Sequence, residues 1–187
     1  LSPAIEKKVL DGIINPTLDE MRNNGTPYSG ILYAGLMIMD NEPYLIEYNV
    51  RLGDPECQVL AIRLGAQLLD VLLSCAKQEL LGTEINYAED TGITVVVATK
   101  GYPGDYKIGS KIFGLDSIEE NENIQVFHSG TGLDGKQLIA EGGRVLSVTT
   151  RDNSLSNARN KIYNALEKII FEDGFYRTDI GYKLPKD

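Results

Sequence analysis

The stretch that decides the fold is LIEYNVRLGD, residues 45–54. Its apolar and polar side chains alternate, which is typical of a β-strand because successive side chains of a strand point to opposite faces. The two faces carry three residues each: Ile46, Tyr48 and Val50 on the apolar face, and Glu47, Asn49 and Arg51 on the polar face. A carboxylate, an amide and a guanidinium on one face indicate a functional site, although a solvated antiparallel strand shows the same alternation.

The Glu47 and Asn49 side chains are predicted to bind one divalent cation. They lie roughly 6.6 Å apart along a strand at about 3.3 Å per residue, a gap that a cation accepting both side-chain oxygens can bridge. Mg²⁺ fits best, because it prefers oxygen ligands and typically takes one or two from protein and the others from water and phosphates. Arg51 is expected to project from the same face, where a guanidinium can hold a phosphate or an acyl phosphate bidentately.

The residues that follow this strand, Gly53-Asp54-Pro55-Glu56, predict the start of a helix. Asp is a favoured N-cap residue, Pro is favoured at the first helical position, and Glu interacts well with the positive end of the helix dipole. The strand is therefore expected to end at a helix N-terminus, and helix N-termini bind anions.

Helical and strand periodicities divide the chain into two parts, separated by the polar residues 83–91 as a linker. In the first part the predicted elements are helix 3–23, in which Pro16 makes a kink or starts a second helix, strands 30–39 and 44–52 with a turn at 40–43, and helices 55–64 and 66–81 with Gly82 as the stop. In the second part they are strands 94–98, 111–113, 124–128, 136–139 and 144–148, and helix 153–171, which Asn153 or Ser154 can cap. The sequence thus predicts an α+β fold of two domains: residues 1–82, an antiparallel sheet with helices, and residues 92–187, a small β-rich domain with a covering helix.

Composition argues against several classes of function. The chain has 187 residues, 42% of them apolar, and a formal charge of −9. Nucleic acid is not expected as a partner, since phosphate backbones demand clustered Lys and Arg. No apolar run approaches the roughly 18 residues needed to span a bilayer and no leader pattern opens the chain, so we expect no membrane partner and a soluble, cytoplasmic protein. Cys57 and Cys75 are expected to be reduced core thiols.

Three further features are expected to be structural. Residues 130–135 match Gly-x-Gly-x-x-Gly, but a dinucleotide site needs a helix directly after this motif, and 136–139 alternates like a strand, which predicts a hairpin. His128 is the single histidine of the sequence. A histidine can act as a general base, but no Ser or Cys nucleophile pattern accompanies His128, so a structural histidine at the end of a strand is expected. The leucines of 68–73 are expected to form a core helix and not a partner-binding stripe.

Five blocks of the sequence resemble the phosphoribosylamine–glycine ligase family, which belongs to the ATP-grasp ligases. The blocks occur in the family's order and cover nearly the whole chain. They are Tyr33–Met37, Glu47–Glu56, Lys100–Tyr106, Phe127–Thr131 and Gly142–Leu146. The resemblance implies that residues 1–82 form the C-terminal part of an ATP-grasp fold and that residues 92–187 resemble the C-terminal domain of biotin carboxylase.

The resemblance also implies a reaction. In this family ATP phosphorylates glycine, and 5-phosphoribosylamine then displaces phosphate to give glycinamide ribonucleotide, a step of de novo purine biosynthesis. Mg²⁺ or Mn²⁺ held by Glu47 and Asn49 would bridge the β- and γ-phosphates of ATP. Arg51 would be catalytic by stabilising the transferred phosphoryl group.

Three neighbouring residues are implied to bind substrate or phosphate: Gly53, Asp54 and Pro55. Gly53 lacks a Cβ and so permits close approach of the backbone to a ligand. Asp54 would either order the loop by capping the helix, which is the preferred expectation, or orient the incoming amine.

The family's enzyme is more than twice as long as this chain. Its missing N-terminal domains are therefore expected partners from the same polypeptide, and the 187-residue chain alone is expected to be inactive. Two alternatives stay open. One is another ATP-grasp carboxylate–amine ligase or purine-pathway carboxylase, which would share the metal strand but lack Lys100–Asp105 and Phe127–Thr131. The other is a non-catalytic docking module.

Overall fold

The computed structural model of the protein describes residues 1–86 and 89–182. The chain forms two compact units, the first made of Leu1–Gly53 and Leu69–Glu84 and the second of Asp54–Leu68 and Ile85–Asp187. Two parts of the predicted domain plan lie outside the described residues, namely 87–88 of the linker and 183–187 of the C-terminal domain.

The first unit opens with helical backbone over the predicted range. Its segments are α1 (Pro3–Val9), a π-helical stretch (Leu10–Ile14) and α2 (Asn15–Asn23). Pro16 lies in the first turn of α2, so of the two predicted outcomes it starts a second helical segment. A proline is tolerated in the first turn, where its missing N–H would have no intrahelical partner. The π-helical stretch directly precedes this start.

A β-hairpin follows the helices. β1 (Tyr33–Met39) and β2 (Glu42–Asn49) pair antiparallel through Asp40–Asn41, where both residues have positive φ, 52° and 61°. Two such residues make a turn whose twist matches that of the flanking strands. The predicted turn over 40–43 is too long, because strand pairing already begins at Glu42.

β2 carries a bulge at Ile46. Gly35 lies opposite Glu47 and Leu36 lies opposite Leu45, so Ile46 has no partner across the pair. Ile46 is 65% exposed. The apolar face predicted for this strand is therefore not uniformly buried, because a bulge redirects the side chains around it.

The leucine-rich helix α4 (Leu68–Ala76) has no buried residue. Leu69 is 72% exposed and Leu73 is 48% exposed. The expectation of a core helix is wrong for the part of the chain that the structure describes, because periodicity identifies an apolar face but not the element that covers it. The predicted stop at Gly82 is also wrong, since α4 ends at Ala76 and Gln78 takes a positive φ.

The helical stretch Glu56–Ala76 is long and apolar enough to cross a membrane by length and composition alone, contrary to the expectation that no apolar run approaches that length. The stretch is not one helix. α3 (Glu56–Leu64) and α4 are separated at Gly65, whose φ of 53° and ψ of −129° are not helical. Each helix has nine residues, about 13.5 Å of length, against about 30 Å for a bilayer core.

The second unit is built on a four-stranded antiparallel sheet. Its elements are α3, β3 (Thr91–Thr99), β4 (Ile124–His128), β5 (Thr131–Asp134), β6 (Gln137–Ala140), β7 (Arg144–Asp152), α5 (Leu155–Leu166) and β8 (Gly174–Phe175). The sheet has the order β4-β7-β3-β8, and β5 and β6 form a separate hairpin. These antiparallel sheets and helices confirm the predicted α+β class.

The two helices of this unit pack against the sheet at neighbouring side chains of β3. Ile93 and Val95 belong to one buried core with Ile162 and Leu166 of α5. Gly92, the neighbour of Ile93, faces α3, where a Cβ would lie 2.8 Å from Val59. Because side chains of a strand alternate between faces, α5 and α3 lie on opposite sides of the sheet.

Most predicted elements of this unit are confirmed, with shifted ends. Of the two candidate caps Asn153 and Ser154, Ser154 caps α5, its hydroxyl accepting the Asn157 N–H at 3.2 Å. The predicted strand 111–113 is wrong: its residues make isolated bridges only, from Lys111 to Ile139 and from Phe113 to Ile170.

The hairpin predicted at residues 130–135 is confirmed. Residues 130–135 lead into the β5–β6 hairpin and not into a helix, and Gly135 has a φ of 60° at its turn. His128 ends β4, with its Nδ1 3.0 Å from the Thr131 hydroxyl. Cys57 and Cys75 are free thiols, half-buried and not in the core.

Candidate functional site

Glu47 and Asn49 lie side by side on one face of β2. The Asn49 Nδ2 donates a hydrogen bond to Glu47 Oε1 at 2.9 Å. Glu47 is exposed and Asn49 is half-buried, so the carboxylate is open to solvent. Turning the Asn49 amide by 180° replaces its nitrogen by its oxygen at that position. The pair then offers the two adjacent oxygen donors that a hydrated Mg²⁺ accepts, so these residues fit the predicted cation.

Tyr48 fixes β2 from the opposite face. Its hydroxyl lies 2.8 Å from Thr17 Oγ1 and donates to the Ile13 carbonyl oxygen at 3.1 Å. Ile13 belongs to the π-helical stretch, and its carbonyl also accepts the Thr17 hydroxyl at 2.8 Å. Since Tyr48 points away from Glu47 and Asn49, this contact sets the direction in which both of them project. The alternation predicted across these three residues is confirmed.

Gly35 on β1 gives the Glu47 side chain its space. It is the residue paired with Glu47, and a Cβ there would come within 3.2 Å of Glu47 Cγ. The bulge at Ile46 directly precedes Glu47, and bulges are frequent next to active sites, where they re-aim side chains. A glycine on one strand and a bulge on the other thus shape the surroundings of this carboxylate.

Arg51 lies beyond the end of β2, so the predicted strand 44–52 is too long, and the expected position of Arg51 on the same face stays a prediction. β2 ends at Asn49, whose partner Tyr33 is the first residue of β1, and no pairing supports the strand beyond it. The exposed Arg51 donates from Nη1 to the Leu52 carbonyl oxygen at 2.8 Å. A guanidinium has five N–H donors, so the remaining ones can face an anion.

Asp54 does not cap α3, contrary to the preferred expectation. The helix begins at Glu56, one residue later than predicted; Pro55 holds the N-cap position, and no side chain caps the helix. The Asp54 carboxylate is used elsewhere: Oδ2 accepts from Arg144 Nη2 at 2.6 Å, and Oδ1 accepts from Gln58 Nε2 at 3.2 Å. A guanidinium is the stronger partner, because hydrogen bonds between two charged groups exceed those to a neutral N–H.

Two predicted residues next to Asp54 differ in exposure. Gly53 is buried and Pro55 is half-buried, and the Asp54–Pro55 peptide bond is cis. Their contact with substrate or phosphate stays a prediction.

Arg144 is the residue that the sequence analysis missed. It stands in the block Gly142–Leu146, but it lies 90 positions from Asp54 and no spacing rule connects the two. The available signal was the Gly142-Gly143 pair directly before it, because two glycines before a strand mark a turn packed closely against its neighbours.

No larger metal cluster is present in residues 1–86 and 89–182: no group of three or more His, Cys, Asp and Glu side chains could hold an ion. A cation at Glu47 and Asn49 would therefore take its other ligands from water and from phosphate oxygens, which is the usual pattern for Mg²⁺.

Two family models match this chain. Residues 1–57 match the ATP-grasp (A) domain of phosphoribosylglycinamide synthetase, and residues 92–183 match its C domain. The first range contains Glu47, Asn49 and Arg51, and the second contains Arg144.

Similar proteins extend these matches over nearly the whole chain. A phosphoribosylamine–glycine ligase of Mesorhizobium japonicum is 44% identical over 183 residues, which are 98% of this chain and 43% of that protein. The crystal structure of a phosphoribosylamine–glycine ligase from Thermotoga maritima has a TM-score of 0.81 at 32% identity, over 96% of this chain and 44% of that one. The chain thus spans less than half the length of these relatives.

A more distant likeness shows the fold alone. The biotin carboxylase domain of a Hydrogenobacter thermophilus 2-oxoglutarate carboxylase, solved in complex with MgADP, has a TM-score of 0.61 at 16% identity, over 94% of this chain and 38% of that one. Together with the matched A domain, this fold defines an ATP-grasp protein. The relatives that are 44% and 32% identical identify one family within the ATP-grasp proteins. The chain belongs to the phosphoribosylamine–glycine ligase family, as the resemblance implied.

Proposed function

We propose that this chain is the C-terminal part of a ligase that joins glycine to 5-phosphoribosylamine with hydrolysis of ATP to ADP and phosphate. One observation carries the proposal: Glu47 and Asn49 meet at 2.9 Å on a strand inside the range that matches the ATP-grasp domain. The relatives are phosphoribosylamine–glycine ligases, and this activity names the two substrates that are joined.

The proposed reaction has two steps. An oxygen of the glycine carboxylate attacks the γ-phosphorus of ATP, the bond to ADP breaks, and glycyl phosphate forms. The amine of 5-phosphoribosylamine then attacks the acyl carbon, loses a proton and displaces phosphate, which leaves glycinamide ribonucleotide. Negative charge is spread over phosphoryl oxygens in the first step, so positioning and charge neutralisation dominate catalysis.

Glu47 and Asn49 are the proposed ligands of Mg²⁺ or Mn²⁺. A cation held by these two residues would neutralise charge on the phosphates of the nucleotide. The solved relative with MgADP supports a magnesium nucleotide for this fold. Within this chain, Tyr48 orients the strand and Gly35 leaves space for the carboxylate, so both residues support the pair.

Arg51 is proposed to stabilise the transferred phosphoryl group. One of its donors is used by the Leu52 carbonyl oxygen, and the side chain is exposed. Gly53, Asp54 and Pro55 stay proposed contacts to substrate or phosphate. For Asp54 a direct contact has to compete with Arg144, which already holds its carboxylate.

We also propose that residues 1–82 and 92–187 are domains of the ligase joined by 83–91, which agrees with the separately matched ranges 1–57 and 92–183. Further domains of the same polypeptide would complete the nucleotide cleft. The proposed location is the cytoplasm, without nucleic-acid or membrane partners. The formal charge of −9 supports the part of this proposal that concerns nucleic acid.

The test is a substrate-dependence assay on the full-length ligase that carries this chain. ADP release is measured with ATP and Mg²⁺ while glycine and 5-phosphoribosylamine are omitted in turn, and the product is identified by mass spectrometry. Release that requires both substrates, with glycinamide ribonucleotide as the product, supports the proposal. Release that requires bicarbonate in place of glycine, or no release with any set, contradicts it.

A further inference from the structure

Arg144 and Asp54 form an ion pair within the second unit, and the proposed reaction gives Arg144 no role. Arg144 Nη2 donates to Asp54 Oδ2 at 2.6 Å, and Nη1 donates to the Asp54 carbonyl oxygen at 3.3 Å. Gln58 Nε2 occupies the other carboxylate oxygen at 3.2 Å. Arg144 thus donates hydrogen bonds to both the side chain and the main chain of Asp54, and these bonds restrain the backbone as well as the carboxylate.

The turn that precedes Arg144 is itself held by a distant part of the chain. Thr99 is fully buried; its hydroxyl donates to the Gly142 carbonyl oxygen at 2.9 Å, and its N–H donates to the Gly143 carbonyl oxygen at 2.8 Å. A Cβ on Gly143 would fall 2.2 Å from the Tyr102 ring. Glycine is therefore required for this ring to pack on the turn. The contacts with Thr99 and Tyr102 hold the turn that leads into Arg144, and none of them involves Asp54.

These contacts give a structural role to two blocks that the reaction left unexplained. Tyr102 lies in the block Lys100–Tyr106, and the turn lies in the block Gly142–Leu146. One block supports the turn, the turn places Arg144, and Arg144 restrains Asp54. Asp54, the last residue in this series of contacts, lies three residues after Arg51, the proposed catalytic residue.

We propose that Arg144 is a positioning residue of the ligase reaction and acts through Asp54; this rests on the proposed function. Two residues, Leu52 and Gly53, separate Asp54 from Arg51, so a restrained Asp54 limits the conformations of the segment that carries Arg51. Misplacing a group by about 1 Å can slow a reaction about 100-fold. The Arg144 and Asp54 side chains are 40% and 37% exposed, and exposed ion pairs contribute little to stability.

The test compares variants of the full-length ligase. Arg144→Gln is expected to lower kcat about 10- to 100-fold, with the KM for ATP and the thermal unfolding midpoint unchanged. Arg144→Lys is expected to recover part of the loss, because an ammonium can bond the carboxylate but lacks the planar fork that also reaches the carbonyl oxygen. Asp54→Ala, Arg144→Ala and the double variant form a cycle. If Arg144 acts only through Asp54, the double variant is no slower than the slower single variant.

Arg177→Gln is the matched control. It breaks another arginine–aspartate pair of the second unit, also 2.6 Å long, with Asp179. It is expected to leave kcat unchanged. The positioning role is overturned, while the ligase proposal stands, if Arg144→Gln keeps the parental kcat. It is also overturned if the losses in the cycle multiply, which would mean that Arg144 contacts substrate directly. A parental enzyme without ligase activity overturns both proposals.

Discussion

Glu47 is the residue on which the proposed chemistry depends most, because it supplies the single carboxylate of the strand site. We predict that Glu47→Gln in the full-length ligase lowers ADP release about 100-fold or more at ordinary Mg²⁺, the scale on which one electrostatic group is lost from an active site. The variant keeps the shape of the side chain but weakens its hold on a cation. Since Glu47 is exposed, the free energy of unfolding should change by less than about 0.5 kcal/mol.

Glu42→Gln provides the control for this prediction. Glu42 stands at the other end of the same strand and forms an exposed ion pair with Lys8. Its neutralisation should leave both turnover and its dependence on Mg²⁺ unchanged. If Glu47→Gln kept the parental turnover across a Mg²⁺ titration, the assignment of Glu47 as a ligand of the cation would be wrong.

Asp152 offers a second prediction at the residue scale. Lys161 Nζ donates to Asp152 Oδ2 at 2.8 Å, and this hydrogen bond is the largest of the causes that lower the pKa of Asp152 below its ordinary value. A lowered folded pKa means that the pair stabilises the fold above the pKa of the unfolded chain, about 3.9. That contribution is lost as the pH falls through the folded pKa.

We therefore expect Lys161→Met to raise the pKa of Asp152 toward its ordinary value. A carbon-detected NMR titration of the carboxyl groups in the 187-residue chain measures the change. Asp179, whose pKa is lowered by Arg177, is an internal reference that should not move. An Asp152 pKa that stays low in the variant would show that other donors hold the carboxylate ionised.

At the scale of elements, two helices with similar apolar residues differ in what they contact. Leu166 of α5 is 1% exposed and belongs to the core of the second unit, whereas Leu69 of α4 is 72% exposed. The same substitution at both places separates burial from helix propensity, because leucine and alanine are both good helix formers.

We predict that Leu166→Ala costs about 2–5 kcal/mol, the usual range for removing a buried leucine side chain. Leu69→Ala should change stability by less than about 0.5 kcal/mol in the 187-residue chain. Urea unfolding of both variants, followed by circular dichroism, checks the contrast. Equal losses for the two variants would mean that α4 is packed in solution.

At the scale of the whole molecule, length is the decisive quantity. The chain covers 43% of the ligase of Mesorhizobium japonicum, and its strand site supplies one carboxylate and one amide. Mg²⁺ binding of this kind depends on nucleotide phosphates, and holding a nucleotide needs a cleft larger than one strand.

We therefore predict that the 187-residue chain alone releases no ADP from ATP with glycine and 5-phosphoribosylamine. The full-length ligase at the same concentration is the positive control, and circular dichroism shows that the shorter chain is folded. Release of ADP that depends on both substrates would mean that this chain holds a complete site.

Local patterns predicted much of the site and of the fold. The alternation of Glu47, Tyr48 and Asn49 is confirmed because strand geometry depends on neighbouring residues alone. The helix cap at Ser154 was predictable for the same reason. The assignment of Asp54 as a cap failed, since its partner Arg144 is distant in sequence and a charged partner wins over a local one.

By itself, the sequence determined the family, the α+β class and the strand that carries Glu47 and Asn49, because motifs and periodicity are local properties of the chain. Tertiary structure alone decided three other features: the end of β2 before Arg51, the exposure of α4, and the ion pair between Arg144 and Asp54. Each of these depends on what lies across from a residue in space, such as a partner strand, a covering surface or an opposite charge. Such information is spread over residues far apart in the chain and has no local pattern.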